Sequence, residues 1–213
     1  YKMKKIILIA NGNYFDIENF TKIRSLGYEK IACADGGANL CMRYNIIPNY
    51  IIGDLDSISK DALEYLKDKS KIVKYKRQND TDVEKALKYL INNKYDDIVL
   101  FSATGDRLDH SIGILSILLK FAPFCKLSMV HGTNILYVVN GNFKLNALPG
   151  ETISLFAFND NTKITTKGLK YPLKDETLTF GKRESISNVA SQNLVEINIS
   201  DGYIFLTREL KNL

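Results

Sequence analysis

Carboxylates recur at one kind of place in this chain. In Ile51-Ile52-Gly53-Asp54-Leu55-Asp56-Ser57-Ile58, two apolar residues end a strand, a glycine follows, and two aspartates stand one residue apart. Paired carboxylates of this sort suit a hard divalent cation such as Mg²⁺, which takes oxygen ligands and brings substrate phosphates with it. Asp, Gly and Ser are also ordinary turn residues. The octapeptide alone leaves both readings open. Acidic residues return after other expected strands: Asp35 in Ala34-Asp35-Gly36-Gly37-Ala38-Asn39, Asp80 and Asp82 in Gln78-Asn79-Asp80-Thr81-Asp82, and Asp106 and Asp109 in Gly105-Asp106-Arg107-Leu108-Asp109-His110. In open α/β sheets ligands bind beyond the carboxyl ends of the strands, so acidic turns gathered there point to one shared site.

Asp54 and Asp56 are the leading metal ligands. Alternation in an extended segment would point them to opposite sides, so the chain must bend, and Gly53 is expected to supply the bend. Asp82 falls in the first turn of a helix opened by the capping box Thr81-Asp82-Val83-Glu84. It can be a third metal ligand, a proton acceptor, or a carboxylate that complements the helix dipole. Gly36 and Gly37 allow backbone N–H groups to approach phosphate. Arg107 offers a bidentate phosphate clamp, with an ion pair to Asp106 or Asp109 as the alternative. Lys76 and Arg77 are similar but less specific. No Gly-x-Gly-x-x-Gly and no P-loop pattern occurs, so a nucleotide would be held mainly by side chains and metal.

These turns need a frame. Apolar segments at Lys5–Ala10, Lys30–Ala34, Tyr50–Ile52, Lys71–Tyr75, Asp97–Phe101 and Lys126–Val130 alternate with helical patterns, which predicts a parallel sheet covered on both faces. Leu108, Ile112, Leu115 and Leu119 are expected to be the stripe of the last of these helices. From about residue 150 the helical pattern is lost, and short alternating segments punctuated by Gly, Pro and Asn follow. The expected architecture is an α/β N-terminal domain with a mainly parallel sheet, residues 1–138, plus an all-β C-terminal sandwich domain, residues 139–213.

Composition narrows the partners. With 213 residues, 45% hydrophobic and 25% charged, the chain reads as globular. The net charge of +5 suits a small anionic substrate. No basic arm or aromatic-plus-basic repeat suggests nucleic acid, and no apolar run approaches a membrane span. Three cysteines without a Cys-x-x-Cys give neither a disulfide framework nor a zinc site, which fits a reducing cytoplasm.

In order, the motifs Asp35-Gly36-Gly37-Ala38-Asn39, Gly53-Asp54-Leu55-Asp56-Ser57, Gln78-Asn79-Asp80-Thr81-Asp82, Gly105-Asp106-Arg107-Leu108-Asp109-His110 and Ser187-Asn188 resemble those of the thiamin pyrophosphokinase family. The resemblance implies transfer of a pyrophosphoryl group from the co-substrate ATP to thiamine, giving thiamine diphosphate and AMP, with Mg²⁺. It implies a homodimer, with the site at the subunit interface and thiamine held by the β-sandwich. By position, Asp35, Asp54, Asp56 and Asp82 resemble the family's metal and catalytic cluster. Gln78, Thr81, Arg107 and Asp109 resemble its nucleotide and phosphate contacts, and Ser187 and Asn188 its thiamine-binding pair. Some members place an aromatic soon after that pair; here Val189 to Asn193 holds none, and the chain has no tryptophan. The rival readings are a metal-dependent nucleotide phosphohydrolase and a non-catalytic nucleotide sensor.

Overall fold

The computed structural model describes residues 3–75 and 79–213. The chain divides into two compact units, Tyr1–Gly132 and Thr133–Leu213. The strand Asn134–Val139 therefore lies wholly in the second unit.

In the first unit, strands β1 (Lys5–Ile9), β2 (Lys30–Ala34), β3 (Tyr50–Gly53), β4 (Lys71–Lys74), β5 (Asp97–Phe101) and β6 (Lys126–His131) alternate with helices α1 (Ile17–Ser25), α2 (Gly37–Arg43), α3 (Lys60–Leu66), α4 (Asp82–Asn92) and α5 (Leu108–Phe121). The sheet order is β6-β5-β1-β2-β3-β4, and its pairings are parallel. β1 and β5 are buried on both faces, which explains why they read as unbroken apolar runs. β4 is the edge strand and exposes Lys71 and Lys74, charges that discourage pairing with another chain. Winding runs outward from β1 through β4, then returns to β5 on the other side of β1. That reversal makes the crevice beside the carboxyl end of β1 the place for a ligand.

The expected stripe on α5 is corrected by the structure. Leu108 and Ile112 are 72% and 59% exposed, and Leu115 and Leu119 are half-buried. The core side is carried instead by Ile114, Ile117, Leu118 and Phe121. α5 is apolar nearly all round, so spacing alone could not say which side faces the sheet.

The second unit holds β7 (Asn134–Val139), β8 (Asn142–Asn146), β9 (Thr152–Phe156), β10 (Lys163–Lys167), β11 (Glu176–Thr177), β12 (Ser185–Val189), β13 (Leu194–Ile199) and β14 (Ile204–Glu209). They form antiparallel runs in the orders β12-β9-β14-β7 and β11-β10-β13-β8. Ile153, Leu155, Ile204 and Leu206 of one layer share a core with Leu145, Ile164, Val195 and Ile197 of the other, the construction of a β-sandwich. β7, β8 and β12 are strands that the alternation left unread. Between β7 and β8, Asn140-Gly141 carries the chain from one layer to the other, with Gly141 at a φ of +58°. An ion pair is buried at the end of β14: the Arg208 guanidinium donates to both oxygens of Glu151 at 2.6 and 2.8 Å. It also donates to the carbonyl of Asn212.

Candidate active site

The site is built on the loops that leave β1, β2, β3 and β5 and on the start of α4. Asp35 follows β2 directly, at a φ of +39°. Its backbone N–H donates to the carbonyl of Ile52 on the neighbouring strand. Its side chain is thereby turned into the molecule, where it is 1% exposed. Asp35 Oδ2 accepts from the Ser57 backbone N–H at 3.1 Å. Asp35 Oδ1 is buried without a hydrogen-bond partner among the described residues. Burial is the main reason the Asp35 carboxyl is pushed up to about 6.

Gly53 does not bend the chain as expected. It is the last residue of β3, and the left-handed residue in this loop is Leu55, at a φ of +72°. What Gly53 provides is room, because a Cβ there would lie 2.8 Å from the Asp35 Cβ. The loop is pinned from α2: Asn39 donates to the Ser57 carbonyl and accepts from the Ser59 N–H.

The structure brings Asp35, Asp54 and Asp82 together, each with a carboxylate oxygen within 4.8 Å of the others. Asp56 stands outside this triplet; it is exposed, and its Oδ1 accepts from the Ser57 hydroxyl at 2.9 Å. Asp82 is set by its helix. The Thr81 hydroxyl accepts from the Glu84 N–H, and Glu84 Oε2 accepts from the Thr81 N–H, closing the expected capping box. Lys120 of α5 holds the other Glu84 oxygen at 2.7 Å.

Lys85 is a site residue that the sequence reading missed. Its ammonium donates to Asp54 Oδ2 at 2.7 Å and to Asp82 Oδ1 at 2.8 Å, and its side chain is 4% exposed. The first effect on Asp54 is the Lys85 hydrogen bond, which holds its carboxyl below the usual range. Burial works against the Lys85 ammonium, but the two carboxylates outweigh it and raise its pKa. The available signal was spacing: Lys85 lies one helical turn beyond Asp82 and beside the buried positions Ala86 and Leu87.

Next to these carboxylates is a cleft of about 660 Å³, lined by Asn11, Gly36, Ser57, Thr81, Asp82 and Arg107 among others. Ile114 and Ile117 of α5 give it an apolar wall. Gly36 lies close under the exposed Asn11 side chain, which would have to move aside for a Cβ there. Gly37 starts α2 and is buried against β1. The Arg107 side chain is bound to Asp109, with Nε to Oδ1 at 3.2 Å and an Nη to Oδ2 at 2.6 Å. Both line the cleft mouth and are exposed. Asn13, also missed, ties the β1 loop to the β5 loop by donating to Asp106. Gln78, with Lys76 and Arg77, lies outside the described residues.

Ser187 and Asn188 belong to β12 of the second unit. Ser187 sits at a φ of +55° beside an irregularity in the β12–β9 pairing. Its N–H donates to the Ser154 hydroxyl. Asn188 is 3% exposed. Its oxygen accepts from the N–H of Tyr171 and of Val189, and its amide donates to the Tyr171 carbonyl and the Ser185 hydroxyl. Tyr171, whose backbone is held in this way, is 62% exposed.

A parallel α/β unit with an acidic cleft at its switch point, followed by an antiparallel β-sandwich, offers the groups that a metal-dependent phosphoryl-transfer enzyme uses. Comparison with known proteins narrows the class. Residues 27–129 match the family model "Thiamin pyrophosphokinase, catalytic domain", and residues 142–204 match "Thiamin pyrophosphokinase, vitamin B1 binding domain". The thiamine pyrophosphokinase of Bacillus subtilis is 26% identical, over 97% of this chain and 99% of its own. That of Caenorhabditis elegans is 28% identical, over 78% and 71% respectively. Among solved structures, thiamin pyrophosphokinase from Geobacillus thermodenitrificans is 26% identical with a TM-score of 0.78, covering 96% of this chain and 97% of that one. The Bacillus subtilis enzyme superposes with a TM-score of 0.82 at 22% identity, covering 97% and 99%. The chain belongs to the thiamin pyrophosphokinase family.

Proposed function

We infer that the protein transfers a pyrophosphoryl group from ATP to thiamine, releasing thiamine diphosphate and AMP, and that its carboxylate cluster holds the Mg²⁺ the reaction needs. The family match supports the reaction and supports neither the phosphohydrolase nor the sensor reading. The observation that carries the site is the convergence of Asp35, Asp54 and Asp82 beside the cleft. These residues suit a hard cation: all ligand atoms are carboxylate oxygens, and buried Asp35 Oδ1 has no other partner among the described residues.

Asp35, Asp54 and Asp82 would hold the metal. When bound, it would offset charge on the transferred phosphoryl oxygens and on the departing AMP. The thiamine hydroxyl oxygen forms the new bond to the β-phosphorus, and the bond to the α-phosphate bridging oxygen breaks. In this reading exposed Asp56 or Asp82 takes the hydroxyl proton. Arg107 exchanges Asp109 for phosphate, a swap between two anions that its exposure permits. Gln78, Thr81, Gly36 and Gly37 complete the nucleotide contacts in this reading.

Ser187 and Asn188 mark the thiamine-binding face. Because the Asn188 side chain is fully used within the protein, its part is to position the segment at Tyr171. The reading includes a homodimer whose site lies at the subunit interface. The uncovered Leu108–Ile112 face of α5, one residue from Arg107, supports it, since exposed apolar stripes mark association surfaces. A reducing cytoplasm agrees with the free and buried Cys33, Cys41 and Cys125. Among the described residues no helix is long and apolar enough to cross a membrane.

The test is incubation with Mg-ATP, with and without thiamine. AMP and thiamine diphosphate should form together and only when thiamine is present. AMP formation independent of thiamine would overturn the reading.

A further inference from the structure

Lys85 is a buried cation in a place where the reaction calls for a metal. An ammonium is costly to remove from water unless it is paired, and Lys85 is paired twice, with Asp54 and with Asp82. Asp35 has no such partner at Oδ1 among the described residues. The three carboxylates and one ammonium leave the cluster a formal charge of two negative units.

We propose that Lys85 is a resident counter-ion that keeps the cluster from holding a divalent cation firmly until the triphosphate arrives. The proposal rests on the reading of Asp35, Asp54 and Asp82 as the metal site. Without a cation, Lys85 draws Asp54 and Asp82 together and relieves their repulsion. When a cation enters, the same ammonium stands a few ångströms from it and opposes it, whether or not it keeps both hydrogen bonds. A triphosphate then adds oxygen ligands and negative charge, which outweigh that opposition. Metal and nucleotide are thereby made to load together, and the cation's hold weakens again once thiamine diphosphate, which carries the transferred phosphates, leaves. Lys85 acts here as a positioning residue, because it works through the carboxylates.

The test is calorimetric titration of the full chain with MnCl₂, with and without a non-hydrolysable ATP analogue. The variants are Lys85→Met, Lys85→Gln and Lys85→Arg. Wild type should bind bare Mn²⁺ weakly and gain strongly from the analogue. Lys85→Met and Lys85→Gln should bind bare Mn²⁺ about tenfold tighter or more, from the loss of one nearby positive charge. They should also gain less from the analogue, while Lys85→Arg should follow wild type. Neutral variants that bind bare Mn²⁺ no tighter than wild type would overturn the proposal. So would a wild type that binds it equally well with and without the analogue, a result that needs no variant to fold. Asp54→Asn separates the two levels. If it leaves Mn²⁺ affinity unchanged, the metal-site reading fails. If it weakens Mn²⁺ while the Lys85 variants do not tighten it, only the role of Lys85 fails.

Discussion

Each unit of this molecule buries a set of charged or polar side chains, and the two sets are finished differently. In the β-sandwich, Glu151 and Arg208 satisfy each other, and every polar atom of the Asn188 side chain has a protein partner. In the α/β unit, Lys85 serves Asp54 and Asp82, but Asp35 is left with an oxygen that no described residue reaches. A satisfied buried pair holds a fold in register. A buried acceptor left open is costly, and leaving one here suits a place that takes up a ligand. The difference separates polar burial that serves structure from polar burial that serves chemistry.

The sharpest way to break the comparison is to neutralise one member of each set. Asp35→Asn keeps the shape and an acceptor for the Ser57 N–H. It should lower kcat/KM for thiamine-dependent AMP formation by about 10²–10³-fold, the usual scale for losing an electrostatic contact at a reacting centre. Urea melts of the metal-free variant should show stability equal to or above wild type, since a poorly compensated buried charge is gone. A large loss of stability would place Asp35 with the structural set. Arg208→Met should do the opposite. Stranding Glu151 in the sandwich should cost about 3–5 kcal/mol in the same melts, with activity per folded molecule unchanged. Asn188→Ala should be smaller, about 1–3 kcal/mol for the backbone groups it leaves unpaired. It should raise the KM for thiamine more than it lowers kcat.

A pH series sharpens the same contrast. The Asp35 carboxyl titrates at about 6 in the folded chain against 3.8 for the ordinary group, mainly because it is buried. The folded state therefore binds this proton more tightly than the unfolded state. The contribution of Asp35 to metal-free stability is greatest below pH 3.8 and is lost as pH rises through about 6. Thermal melts from pH 5 to 8 should show Mg²⁺ adding more stability above pH 6 than below it; an equal Mg²⁺ effect across the range would contradict this. The smallest effect should come from Lys120→Ala. The lysine is 58% exposed and holds one Glu84 oxygen, so its loss should cost about 0.5–1 kcal/mol.

Much of the α/β unit was legible because its signals were local. Buried strands gave continuous apolar runs, Thr81 and Glu84 announced the start of α4, and the acidic turns named their own ends of the sheet. Residues whose role depends on a partner elsewhere in the chain were not legible. Gly53 is explained by Asp35 on a neighbouring loop, and Lys85 by Asp54 at the start of the β3 loop. α5 carries apolar residues on two faces, and only packing says which one the sheet covers. In the sandwich, β7, β8 and β12 were missed for a similar reason. Asn140-Gly141 is a strong turn signal, yet the strands on either side pair with β14 and β13 and not with each other. Asn188 was legible as a motif residue, but its hold on Tyr171 depends on a segment that no spacing rule connects to it.

The proposed chemistry depends most on Asp35, Asp54 and Asp82 forming one cation site. The direct measurement is anomalous diffraction from crystals grown with Mn²⁺ and a non-hydrolysable ATP analogue. A peak among these three carboxylates, bridged to the phosphates, is the predicted result. A peak elsewhere, with Asp35 Oδ1 still without a ligand, would contradict it.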